Sequence, residues 1–138
     1  MIDYNLVVDT AKDAGFIKEG EKYLFCVPDP KDGRRSGSFV EVLTYKYDIL
    51  LVVNENELRL YDVDKKTGEL LGTVRVFKKE NLRKIVVSWF LSWNLYFRTK
   101  EPDYYDNITL NPRFGKFTQK ELLKDMVQFI KLNYKKNK

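Results

Sequence analysis

Residues 49–77, ILLVVNENELRLYDVDKKTGELLGTVRVF, place two short polar turns between three apolar runs, and this stretch decides the fold class. ILLVV (49–53) is continuously apolar, as a strand covered on both faces is. ELRLYDV (57–63) alternates, setting Leu58, Leu60 and Asp62 on the opposite side from Arg59 and Tyr61. LLGTVRVF (70–77) reads as a third strand. Asn54 to Glu57 and Asp64 to Gly68 are short enough to be hairpin turns, so the three strands are antiparallel neighbours.

Strand patterns continue on both sides. Upstream, FVEVLTYKY (39–47) puts Phe39, Leu43, Tyr45 and Tyr47 on one face, and residues 23–27 form a short strand stopped by Pro28 and Pro30. Between them, DPKDGRRSGS (29–38) has the proline, Asp-Gly and serine content of a loop. Downstream, after the polar KKENLRK, IVVSWFLSW (85–93) and LYFRT (95–99) read as a hairpin or one bent strand, with the turn near 92–94. EPDYYDN is a loop, and 107–110 a last short strand.

Helices flank the strands. Asp3 caps a helix in which Tyr4, Val7, Val8, Ala11 and Ala14 share a face, and Gly15 ends it in a left-handed conformation. Thr118 and Glu121 have capping-box spacing before Leu122, Leu123, Met126, Val127, Phe129, Ile130 and Tyr134, an amphipathic pattern of about four turns. The reading is one α+β domain over residues 1–138: N-terminal helix 3–15, strands 39–111, and a capping helix 118–134.

Composition narrows the function classes. The 43% hydrophobic content supplies enough apolar surface to offset chain entropy and argues against wholesale disorder, and no stretch approaches the roughly 18–20 apolar residues of a membrane span. The N-terminus lacks the basic start and apolar core of a signal peptide, and Cys26 has no second cysteine to pair with, so a cytoplasmic location is expected. Richness in Lys, Asn and Tyr fits an AT-rich bacterial or phage genome.

Histidine is absent, which excludes Ser-His and Cys-His nucleophile pairs and, with one cysteine, an all-protein structural zinc site. Neither a GxxxxGK[ST] loop nor a GxGxxG turn occurs, and no cofactor is expected. Lys66-Thr67-Gly68 copies one motif of the penicillin-interacting enzymes without its SxxK and SDN partners, and a hairpin turn accounts for it. Carboxylates are the remaining route to catalysis. Asp103 with Asp106, or Glu55 with Glu57, offer the oxygen ligands and acid/base groups of a small metal-dependent enzyme.

The order of elements resembles the pleckstrin-homology-like superfold, including bacterial PH-like and GRAM-type domains, where a bent antiparallel barrel is closed by a C-terminal helix. The likeness rests on the 49–63 hairpin, 70–77, the KENLRKI step into Val86 and Val87, and the helix after Thr118. It covers residues 39–134 and leaves the first helix outside. It implies a scaffold for binding peptides, proteins or phosphorylated headgroups. Phosphoinositide-binding members gather Lys and Arg around the first hairpin loop; the turn Asn54 to Glu57 carries two glutamates and no base, which argues against that ligand.

Two constellations have binding content. Residues 1–69 hold 10 basic against 14 acidic residues, residues 70–138 hold 15 against 6, and the basic half includes Lys78, Lys79, Arg83 and Lys84 around Leu82. With Arg34 and Arg35 on the loop, these are candidate contacts for nucleic acid or another anion. The bland account is a polar connection with Leu82 in the core. The second constellation is aromatic: Trp89, Phe90, Trp93, Tyr96 and Phe97 lie within nine residues, on both faces of one segment. One face belongs to the core, and the other is either a surface for a protein partner or homodimer, or is buried beneath a terminal helix. A non-catalytic domain making protein contacts is the leading expectation.

Overall fold

The computed structural model describes residues 2–28 and 47–134. Helix α1 (Tyr4–Asp13) starts at Asp3, whose carboxylate accepts from the backbone N–H groups of Asn5 and Leu6. Gly15 follows at φ +83°, the left-handed residue expected after it. The strands are β1 (Lys22–Pro28), β2 (Tyr47–Val53), β3 (Glu57–Asp64), β4 (Leu70–Lys78), β5 (Leu82–Phe90), β6 (Ser92–Thr99) and β7 (Tyr105–Leu110). A two-residue ladder, β8 (Arg113–Phe114) with β9 (Phe117–Thr118), leads into helix α2 (Lys120–Asn133).

The seven strands form one antiparallel sheet in the order β4-β3-β2-β1-β7-β6-β5. The chain is α+β with a helix at each end of the described sequence. The sheet starts earlier than the sequence pattern suggests: β1 lies at its centre, pairing with β2 on one side and β7 on the other. The first hairpin therefore joins β1 to β2 through residues 29–46. Asn54 to Glu57 is the second turn, so its lack of bases does not bear on the first loop. Arg34 and Arg35, and the expected strand up to residue 46, lie outside the described residues.

β2 is buried on both faces, as its unbroken apolar run requires. Leu50 and Val52 join Val7, Val8 and Ala11 of α1, with Phe25, Tyr61 and Val63, in a cluster on the outer face. Ile49, Leu51 and Val53 join Leu58, Leu60, Leu95, Phe97 and the apolar stripe of α2 in the main core. The sheet curls around this core. The Phe77 ring of β4 lies 4.7 Å from that of Phe97 on β6 and stacks with Tyr104 at 5.9 Å, joining strands from opposite ends of the strand order. Gly68 closes the β3–β4 turn at φ +78°, where an added Cβ would stand 2.7 Å from Ile2.

Helix α2 is fixed at both ends. At its start the Gln119 amide accepts from the Phe25 N–H (3.0 Å) and donates to the carbonyls of Phe25 (2.8 Å) and Asn111 (2.6 Å). The capping box expected from Thr118 and Glu121 does not form: Thr118 pairs with Arg113 in the small ladder, and the N-cap is Gln119, whose side chain serves β1 instead. At the other end the Tyr134 hydroxyl donates to the Asn54 carbonyl at 2.7 Å. No described helix is long and apolar enough to cross a membrane.

Candidate functional site

The β5–β6 connection is a single residue. Phe90 pairs with Ser92, so Leu91 alone makes the turn, one position before the region expected. Leu91 adopts φ +69°, a left-handed conformation that costs an L-residue with a Cβ roughly 1–2 kcal/mol. Its side chain is also 77% exposed. A leucine here is unfavourable twice over, for backbone and for solvation.

Behind this apex, the hairpin and α2 enclose a groove of about 1010 Å³. Its apolar lining is Trp89, Leu91, Trp93, Leu110, Leu123 and Val127, and its helical wall carries Lys120, Lys124, Gln128, Lys131 and Glu121. Trp89 and Trp93 oppose each other across the strands and are the chain's two tryptophans. Trp89 is 63% exposed, while the Lys131 ammonium lies 5.4 Å above the Trp93 ring.

The aromatic constellation therefore divides. Trp89 and Trp93 face the groove, Phe97 is fully buried and belongs to the core, and Tyr96 lies near Tyr105 at 5.9 Å with Lys84 over its ring. Alternation places Tyr96 on the opposite face from Phe97. Phe97 is corrected from candidate surface to core residue, because β6 turns it inward against Phe77. The side chain of Phe90 lies outside the described residues.

The basic constellation is divided as well. Lys78 donates to Glu57 at 2.9 Å, Lys79 lies 5.1 Å above Tyr134, and Lys84 lies over Tyr96. Arg83 is exposed at the β5 irregularity beside Leu82, which is fully buried. Lys78 is held above its ordinary pKa by its hydrogen bond to Glu57.

Among the carboxylates, Asp103 takes two bonds from Arg98, each 2.8 Å, and Asp106 is buried, accepting from the Tyr104 hydroxyl and the Asn107 N–H. Glu57 is shared by Arg59 and Lys78, and Glu55 is exposed. No group of three or more Cys, Asp or Glu suited to a metal occurs among the described residues. Cys26 is fully buried, and burial raises its thiol well above the usual range, which suits a small core hydrophobe.

One ionic network escapes sequence reading. Arg59, nearly buried on the α1 face, donates to both Glu21 oxygens (2.6 and 2.9 Å), to Glu57 (2.9 Å), to the Phe16 carbonyl (2.9 Å) and to the Tyr61 hydroxyl (3.1 Å). Burial opposes ionisation of Glu21, but Arg59, the Lys18 N–H and Asn54 outweigh it and hold the carboxyl at about 2. This network ties the loop after α1 to the sheet and is structural.

No protein-family model matches the chain, nor does any curated protein sequence. Among solved structures a likeness of fold is found. The chain is similar to the hSac2 domain from human phosphoinositide phosphatase Sac2. The superposition has a TM-score of 0.51 and covers 96% of this chain and 82% of the hSac2 domain chain, at 15% identity. At that identity the likeness concerns the fold alone.

Proposed function

We propose that this chain is a non-catalytic binding domain of PH-like architecture that engages a protein partner through the groove between the β5–β6 hairpin and α2. Support for the architecture comes from the strand order, the curled sheet, the C-terminal helix packed into the core that the sheet surrounds, and the likeness to the hSac2 domain. The observation that carries the function is Leu91, strained and solvent-exposed at the apex beside an exposed tryptophan. Local rules broken without compensation inside the fold point to a contact outside it. Tryptophan is also the residue type most enriched at energetic centres of protein interfaces.

An anion-binding reading has weaker support, because Lys78 is already paired with Glu57, while Lys79 and Lys84 are drawn apart, one over Tyr134 and the other over Tyr96. A catalytic reading through Asp103 and Asp106 is weakened by the Arg98 pair on the first and the burial of the second.

The test is affinity capture from nuclease-treated lysate of the source organism, comparing the wild-type chain with Trp89→Ser/Leu91→Asn, followed by calorimetry with the purified captured protein. One protein that binds stoichiometrically to the wild type and at least thirtyfold more weakly to the variant is expected, given hot-spot costs of about 2 kcal/mol or more. Retention unchanged in the variant, or abolished by the nuclease, overturns the proposal.

A further inference from the structure

The groove has a charge pattern as well as an apolar lining. Lys120, Lys124 and Lys131 lie along its helical wall, against a single acidic lining residue, Glu121. Their spacing of four and seven residues puts them on one stripe of α2. At 1.5 Å per residue the stripe spans roughly 16 Å. None of the three forms an ion pair among the described residues.

We infer that the occupant of the groove is an acidic segment of a partner protein, with apolar side chains against Trp89 and Leu91 and carboxylates on the three lysines. The inference rests on the protein-binding reading above and specifies the partner's chemistry. A volume of about 1010 Å³ lies at the top of the range of small-molecule sites, about 300–1,000 Å³, and suits several side chains of a peptide. An extended segment of about five residues covers the lysine stripe.

Other occupants fit the groove less well. A second copy docked groove to groove about a two-fold axis brings the two lysine stripes together, and like charges oppose that contact. Single-stranded nucleic acid binds by stacking successive bases on aromatic faces, but Lys131 already covers Trp93, which leaves Trp89 as the one uncovered aromatic ring among the lining residues. A lipid surface reaches the exposed apex, Trp89 and Leu91, but not the concavity behind it, where Leu110, Leu123 and Val127 lie.

Because both tryptophans line the groove, their fluorescence reports its occupancy directly. The full chain is panned against a phage-displayed library of random nine-residue peptides. Selected sequences are synthesised and titrated while tryptophan emission is followed at low and high salt. Oligothymidylate and phosphatidylserine vesicles are titrated in parallel. The expected peptides combine Asp or Glu with Leu-like anchors and shift the emission. Their binding weakens about tenfold in Lys120→Gln/Lys124→Gln/Lys131→Gln and falls as salt rises. These lysines are exposed, so an unchanged melting temperature verifies that the variant is folded. Peptides that shift the emission without an excess of acidic residues overturn the acidic specificity and leave the groove intact as a protein site. If no peptide shifts it, or only the oligonucleotide or vesicles do, both inferences fall.

Discussion

Replacing Leu91 by asparagine separates a residue retained for binding from one retained for folding. The backbone at φ +69° costs a leucine roughly 1–2 kcal/mol, a cost that asparagine largely escapes through local hydrogen bonding. Against that gain stands the packing lost with the leucine side chain. Complete burial of a leucine is worth about 1.5–3 kcal/mol, and with 77% of Leu91 exposed only about a quarter of that, near 0.5 kcal/mol, is at stake. The expected net effect is stabilisation by about 0.5–1 kcal/mol, a rise in melting temperature of roughly 2–4 °C for a chain of this size. Glycine relieves the same strain but loses about 0.5–1 kcal/mol to backbone entropy, so Leu91→Gly is close to neutral. Thermal unfolding by circular dichroism and urea titration give the two stabilities, and calorimetry with the captured partner gives the affinity. Higher stability together with weaker binding is the signature of a functional apex. A loss of more than about 1 kcal/mol in Leu91→Asn refutes the reasoning, since the leucine is then held by packing. Stabilisation with unchanged binding refutes the groove as the site.

Further expectations concern the frame that holds the groove. Against the effect of burial, Arg59, the Lys18 N–H and Asn54 hold Glu21 down at about 2 when folded, against an ordinary value of 4.5, so its contribution, reduced by solvent screening to about 1–2 kcal/mol, is present above pH 4.5 and lost as pH falls towards 2. Urea unfolding from pH 6 to 2.5 should show this slope in the wild type and a shallower one in Glu21→Gln. Gln119→Leu strands backbone groups of Phe25 and Asn111 and should cost about 2–3 kcal/mol, read as a lower denaturation midpoint. Met126, fully buried in α2, should cost about 2–5 kcal/mol on truncation to alanine, with tryptophan emission altered as the groove wall loosens. Cys26 should react with Ellman's reagent only in denaturant; prompt reaction of the native chain contradicts its burial.

Much of the frame was legible because it depends on local periodicity. An unbroken apolar run at 49–53 implies a strand with two covers, and the structure supplies α1 on one face and the main core, with α2, on the other. The turn at Gly68 and the left-handed stop at Gly15 follow from what glycine alone adopts without cost. The features that were missed depend on partners distant in sequence. Arg59 shares one face of an alternating strand with Tyr61, and nothing local shows that Glu21, 38 positions away, receives it. Thr118 and Glu121 read as the helix cap, and nothing local shows that Gln119 between them is taken up by Phe25, 94 positions away. The position of β1 at the sheet centre was missed for the same reason, since a strand's neighbours are set by pairing and not by its own composition.

For the candidate site, the residues were visible in the sequence but their grouping was not. By itself the sequence determined that two tryptophans sit in one apolar β segment, that an amphipathic helix follows, and that no histidine-based chemistry is available. Only the tertiary structure decided that Phe97 turns inward while Trp89 stays exposed, that Leu91 makes the turn alone, and that α2 docks beside the hairpin with Lys120, Lys124 and Lys131 facing the groove. The physical reason is that side-chain periodicity is fixed residue by residue along the chain. A groove between a hairpin and a helix exists only once the curled sheet and the two anchors of α2, at Phe25 and Asn54, have fixed their separation.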